Sequence, residues 1–511
     1  MSPRLHVALM YRARRAAALV LSVWACALSG CDALWGGLLG DNPTNCAFSR
    51  SACGPDEICD PEAQICRLDV RLERAEPRLV PLAAPTMLQI SGRHFDAGSR
   101  LRLDGVELDG VQILSETQLT APVPARPGGP FRATLELEHP SGARTRRSDL
   151  FSYFTSEARF TAAAIAGSEV SSAVALVDAN RDGRSDALVV DQRSRQVQVF
   201  LAQADGTLAA RPVASPLPVG ATTGDLLVGD FDHDRAPDLI LYSGASLVRL
   251  RGDGTGHFAD GIVTTGTFEQ LALGDLDGDS WLDVVMLPQA GQGLRVGRGL
   301  ADGTLAPAVA LSPAVAVDSF ALGDFDQDGL PDVVGAVAAT GEVVLLVHDQ
   351  ALDRGSLRKV TIATAACAAS SISALHPGDF TGDGLLDVLV LCGRDATVLR
   401  SRGDGRFEAL PVSLGGATAQ PRVAVADFDG DLRADVALLL GSVFDVRLLA
   451  GDAQAGLRLL PAPVLSKPAS GLSLFLLGSG DLDGDSRPDL IIGNRLTNIT
   501  PQTYVLRNSS P

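Results

Sequence analysis

Beyond about residue 156 the chain is written in short apolar runs of three to five residues, each set off by a turn-forming cluster rich in Asp and Gly. One unit shows the rhythm. Leu226-Leu227-Val228 precedes an acidic cluster, Leu239-Ile240-Leu241 follows it, Leu247-Val248-Arg249-Leu250 comes next, and a Gly-rich turn ends at Phe258 before a fourth stretch. Runs this short, bounded by such turns, predict β-strands, and four per unit predict small antiparallel sheets. From about 75 to 154 a different β pattern appears, with Met87-Leu88-Gln89-Ile90, Leu101-Arg102-Leu103 and Phe131 to Glu138 separated by Gly and Pro turns. That alternation predicts a small β-sandwich of its own. The longest apolar run is at the start, Ala16 to Leu28, behind Arg4, Arg12, Arg14 and Arg15, and it is too short for an ordinary membrane helix.

The acidic clusters repeat one sentence seven times, Asp-x-Asp-x-Asp-Gly-x-x-Asp, and we number its positions 1 to 9. Positions 1, 3, 5 and 9 are Asp178, Asn180, Asp182 and Asp186; Asp230, Asp232, Asp234 and Asp238; Asp275, Asp277, Asp279 and Asp283; and Asp324, Asp326, Asp328 and Asp332. They continue as Asp379, Thr381, Asp383 and Asp387; Asp427, Asp429, Asp431 and Asp435; and Asp481, Asp483, Asp485 and Asp489. Successive first aspartates are 52, 45, 49, 55, 48 and 54 residues apart, the period of propeller blades slightly stretched by loops. The fold class expected is therefore mostly β, a seven-bladed β-propeller over 156–511. Arg159 to Ala163, ahead of the first loop, is expected to supply the strand that the last repeat lacks after Tyr504-Val505-Leu506. Such a join removes an open sheet edge.

Up to four carboxylates within nine residues repel one another, and a hard cation taking about six to eight oxygens relieves that repulsion. Ca²⁺, up to seven ions, is the expected cofactor; the octahedron of Mg²⁺ suits such crowding less well. The loops hold 26 of the 61 acidic residues, and seven divalent ions would move the formal charge from -18 to -4. Asn180 and Thr381 bring less charge, so their sites should be weaker. Position 6 is Gly183, Gly329 and Gly384 in three loops but Arg235, Ser280, Leu432 and Ser486 in four. A left-handed turn there costs a non-Gly residue about 1 kcal/mol, which puts the Arg235 and Leu432 loops most in question.

The seven repeats resemble the FG-GAP/VCBS repeats of the integrin α-subunit propeller over roughly 350 residues. The preceding segment, with Ile90-Ser91-Gly92-Arg93-His94-Phe95, Leu119-Thr120-Ala121-Pro122 before Pro124, and Phe151-Ser152-Tyr153, resembles an IPT/TIG domain, an immunoglobulin-like fold. At the start, Leu28-Ser29-Gly30-Cys31 resembles the lipobox of bacterial lipoproteins. That resemblance implies a signal peptide over 1–30, cleavage before Cys31 and acylation of its sulfur. It further implies a lipid anchor in the bacterial cell envelope, with the outer membrane or cell surface favoured and the periplasmic face of the inner membrane an alternative.

Residues 31–45, with Gly36, Gly37, Gly40, Asn42 and Pro43, read as a tether. Cys46, Cys53, Cys59 and Cys66 then crowd into a segment, 46–68, with almost no apolar core. Disulfides are expected to hold it, with the pairing open; zinc is the alternative, disfavoured by the wide gaps and the lack of a nearby histidine. Cys367 and Cys392, in neighbouring repeats, could form a further disulfide.

Strong acidity argues against a nucleic-acid partner. Arg251-Gly252-Asp253 and Arg402-Gly403-Asp404 stand at equivalent repeat positions and read as turns rather than adhesion tripeptides. The histidines past the signal, His94, His139, His233, His257, His348 and His376, are scattered, and neither Gly-x-Ser-x-Gly nor His-Glu-x-x-His occurs. The expected function is non-enzymatic binding or adhesion toward a protein partner. A glycan-binding module and a polysaccharide lyase or hydrolase are the alternatives.

Overall fold

The computed structural model describes residues 53, 56–60 and 65–509, apart from 127–128, 156–157, 166–170, 222–223, 244, 349–356, 364–371, 394, 404–405, 416–420, 441–444, 462–463, 465–473 and 495–502. Among the described residues every regular element is a strand. Cys31, Cys46 and Cys367 lie outside them, as does the whole signal segment.

A short hairpin, Glu57–Asp60 against Ile65–Leu68, opens the fold. Cys53 and Cys66 form a disulfide beside it, which takes both thiols away from the zinc alternative. Two four-stranded sheets follow. One is built from Arg71–Glu76, Thr86–Arg93, Gln118–Val123 and Gln112–Ser115, the other from Arg144–Arg147, Leu135–Glu138, Arg100–Leu103 and Val106–Glu107. Their strands alternate as the sequence does: Leu88 and Ile90 are buried while Met87 is exposed. The apolar faces enclose one core from Val70 to Tyr153.

The rest is a two-stranded ribbon of Gln292–Gly293 with Ala316–Val317 and seven four-stranded antiparallel sheets. In each, the strand ahead of the acidic loop is the first, and its last residue pairs with position 9, as Gly229 with Asp238 and Gly323 with Asp332. First strands of sheets one to five adjoin in succession: Ser171–Val177 meets Asp225–Gly229, then Gln270–Gly274, Ser319–Gly323 and Ala374–Gly378. Arg422–Ala426 meets Leu474–Gly480, which returns to Ser171–Val177. Seven separate apolar clusters lie between successive sheets; Phe231 and Ile240 of the second sheet pack with Val284 and Met286 of the third. The last cluster joins Leu482, Ile491 and Val505 to Ala187, Val189 and Phe200, so the series of sheets closes on itself. The expected closing strand is there: Phe160–Ile165 pairs antiparallel with Thr503–Asn508 and completes the seventh sheet. Cys392 is disulfide-bonded.

Candidate metal centres

All seven acidic loops have the same backbone. Position 6 is left-handed in every one, with φ between 64° and 90°, including Arg235, Ser280, Leu432 and Ser486. Position 4 is left-handed as well, with φ between 58° and 81°. These two reversals curl the chain so that alternate side chains converge. Position 2, from Ala179 to Leu482, points the other way and is buried as an apolar plug.

Hydrogen bonds fix the curl in one repeated scheme. The position 1 carboxylate accepts the position 6 N–H at 2.8–3.0 Å in all seven loops. The position 5 carboxylate accepts the position 7 N–H at 2.7–3.1 Å. Position 9 is different in kind. One of its oxygens accepts the position 2 N–H at 2.8–3.1 Å. The other accepts an N–H at or near the end of the third strand, from Ala202, Gly252, Gly299, His348, Ser401, Gly451 or Asn508, at 2.7–3.1 Å. These aspartates are 0–2% exposed. Position 9 is thus first a clamp between loop and sheet, a role that its expectation as a plain metal ligand did not contain.

Five loops bring three carboxylate oxygens within 4.8 Å of one another: Asp230, Asp232 and Asp234; Asp275, Asp277 and Asp279; Asp324, Asp326 and Asp332; Asp427, Asp429 and Asp435; and Asp481, Asp483 and Asp489. Among the described residues the loops of Asn180 and Thr381 form no such carboxylate trio, since position 3 is not an acid there. Asp230 Oδ1, Asp277 Oδ1 and Asp483 Oδ1 are buried without a hydrogen-bond donor. Orphaned, crowded carboxylate oxygens fit a hard cation.

Crowding shows in the proton affinities. Burial, reinforced by neighbouring aspartates, pushes Asp429 and Asp489 up to about 7, and Asp186, Asp387, Asp427 and Asp485 up to about 6. Arginines offset part of the charge. Position 7 supplies Arg184 to Asp182, Arg433 to Asp431 and Arg487 to Asp485. In three other loops the third strand supplies it: Arg251 reaches Asp232 and Asp234, Arg298 reaches Asp277 and Asp283, and Arg400 reaches Asp383. Arg251 thus pairs within its own loop, and Arg402 pairs with Glu408. Among the described residues the Asp324–Asp332 loop alone pairs with no arginine; its one ion-pair partner is the buried His348, 3.5 Å from Asp332.

Loops also touch one another. Arg181 donates to the Asp234 carbonyl and Gln327 to the Gly384 carbonyl. The exposed His233 contacts the Ser280 carbonyl through Nε2 and stacks on Trp281 with ring centroids 4.0 Å apart. Position 4, unremarked in the sequence, is therefore the residue that makes the contact to the following loop in these three loops.

FG-GAP-like repeats match at residues 178–241, 275–335 and 352–438. No curated protein matches the chain. Among solved structures, an Agrocybe aegerita lectin recognising non-reducing terminal N-acetylglucosamine is 15% identical with a TM-score of 0.46, covering 76% of this chain and 98% of its own. An auxiliary nutrient binding protein of Bacteroides ovatus is 12% identical with a TM-score of 0.35, covering 86% and 99%. A quinoprotein alcohol dehydrogenase-like protein of Bacteroides thetaiotaomicron is 12% identical with a TM-score of 0.36, covering 86% and 94%.

Proposed function

We propose that this chain is a calcium-stabilised, lipid-anchored protein of the bacterial cell envelope that binds a protein partner without turning it over. On this reading the seven sheets are the blades of a closed propeller and the preceding domain is an immunoglobulin-like spacer. Cys31 carries the lipid.

The observation that carries the reading is the sevenfold identity of the loop frame. A catalytic centre needs one constellation unlike its surroundings. Here the acids recur in one scheme around the ring, with positions 1, 5 and 9 of every loop tied to backbone N–H groups, as a scaffold requires. Positions 1 and 3 supply oxygens for Ca²⁺, joined by position 5 in the Asp234 and Asp279 loops and by a second lone pair of position 9 in the Asp332, Asp435 and Asp489 loops. The ion neutralises the converging carboxylates and locks the curl between first and second strands. The Asp324 loop, with four carboxylates and no arginine among the described residues, should hold it most tightly.

The first strands end at these loops, so their beginnings, with Asp225, Gln270 and Arg422, lie toward the other face. That mixed-charge rim suits a protein partner. Thermal unfolding with Ca²⁺ and with chelator, alongside metal content, tests the cofactor. Several ions per chain and a markedly higher melting temperature are expected, since an ion at a thousand times its dissociation constant adds about 4 kcal/mol. An unchanged melt with no bound metal refutes it. For the partner, cross-linking at the rim that is lost in Arg422→Glu is expected. Elution by free sugar would favour the glycan-binding alternative instead, and release of soluble oligosaccharides the enzyme.

A further inference from the structure

The sixth loop, Asp427–Asp435, differs from the other six in what its position 4 faces. In the first, second and fourth loops that residue reaches the following loop through Arg181, His233 and Gln327. In the third, fifth and seventh it is a glycine, and a Cβ there would still meet the following loop: Leu330 at 3.2 Å from Gly278, Arg433 at 3.0 Å from Gly382, Arg184 at 3.6 Å from Gly484. Gly430 of the sixth loop faces the N-terminal β domain instead. A Cβ on Gly430 would overlap the Tyr153 carbonyl and lie 2.6 Å from the Phe131 ring. One residue earlier, the Asp429 carbonyl accepts the Thr155 N–H at 2.8 Å. Tyr153 and Phe131 are both buried in the core of their own domain, so they present a fixed surface to the loop.

We propose that the sixth loop is the seat of the N-terminal β domain, and that the curl of this one loop sets how that domain is held on the ring. The contact needs a backbone without a side chain at position 4 and a carbonyl turned outward at position 3. Glycine at 430 provides the first, and the left-handed reversals at Gly430 and Leu432 accompany the second. The seat stands on this geometry alone. Its dependence on Ca²⁺ rests on the function proposed above: an ion held by Asp427, Asp429 and Asp435 would fix the curl, and its loss would release the domain from the ring.

The test uses the full mature chain, with small-angle scattering and limited proteolysis of residues 154–160. Gly430→Arg places at position 4 the residue that the first loop carries there at φ 60°. It should enlarge the radius of gyration and speed linker cleavage about tenfold, because cleavage follows the population of the open form. Gly484→Arg, the same change where only Arg184 is near, should behave as wild type. Thr155→Pro removes the donated N–H without touching the loop and should shift both readouts the same way by less. Wild-type behaviour of both Gly430→Arg and Thr155→Pro, or equal release by Gly484→Arg, overturns the seat. Chelation of the wild type should release the domain as the metal leaves. A domain that stays docked after metal loss overturns the coupling, whereas a chain that never held metal refutes the calcium reading and leaves the seat to the substitutions.

Discussion

The N-terminal β domain and the ring of sheets bury comparable side chains in opposite ways. The domain closes two sheets over a single core, with Leu88, Ile90, Leu119, Leu135 and Tyr153 at 0% exposure. Among the described residues the ring has no common core. Each sheet gives one face to the sheet before it and one to the sheet after it, as Leu239 and Leu241 pack toward the first sheet and Ile240 toward the third. A domain of the first kind is complete in itself, while a sheet of the second kind is stable only between neighbours. Closure of the ring is therefore a structural requirement, and Phe160–Ile165 provides it.

Breaking that closure should have the largest effect. Ala163→Pro with Ala164→Pro removes the N–H of two consecutive residues, one of which must serve the ladder to Val505 or Tyr504. Loss of the closing strand's pairing is expected to destabilise the ring alone, by more than any single-site change below. Calorimetry should show the ring transition falling while that of the N-terminal domain holds. If both fall together, the two regions are not the independent units described.

Next in size is the clamp. Asp387→Ala leaves the Phe380 and Ser401 N–H groups buried without an acceptor, a cost of about 2–5 kcal/mol. Asp383→Ala, at the half-exposed position 5 of the same loop, should cost about 1 kcal/mol. Denaturant melts in chelator compare them without metal. Equal losses would show that position 9 is no different from the outer ligands.

The third effect is a dependence on pH. The folded pKa values of Asp429 and Asp489, about 7, and of Asp186, Asp387, Asp427 and Asp485, about 6, all exceed the ordinary value of 3.8. With folded values raised, the native state binds these protons more tightly than the unfolded chain does. The metal-free ring should thus lose stability as pH rises from about 4 to about 7. Each tenfold gain in proton affinity on folding corresponds to roughly 1.4 kcal/mol before solvent screening. In chelator the melting temperature at about pH 5 should exceed that at about pH 7.5. Calcium, which binds the ionised form, should reverse the order, and no reversal would speak against it.

Much of this was legible in the chain because it is written seven times. Strand and loop order, the missing strand and its donor near Phe160, and the left-handed turn at position 6 all followed from the repeat. The clamp was not legible, because an Asp at position 9 looks the same whether it meets a cation or two backbone N–H groups. Nor were the arginines: Arg184 lies inside the motif, but Arg251, Arg298 and Arg400 reach their loops from the third strand, across a pairing that spacing alone does not display. Position 4 escaped for another reason. Arg181, His233, Gln327 and four glycines share no chemistry, only a backbone conformation and a direction.

The smallest effect isolates that backbone conformation. Leu432 is left-handed, at φ 66°, and its side chain is 43% exposed, so its replacement removes little packing. Leu432→Gly relieves strain of about 1 kcal/mol, but glycine also gives the unfolded chain more freedom, which offsets roughly 0.4–1 kcal/mol of the gain. The net change in stability should be slight, whereas Gly329→Leu, at φ 90° with open space around it, should lose about 1 kcal/mol through strain. Paired denaturant melts in chelator read this difference. If Gly329→Leu costs nothing, the left-handed turn is equally open to any residue, and the four loops without glycine carry no handicap in forming a site.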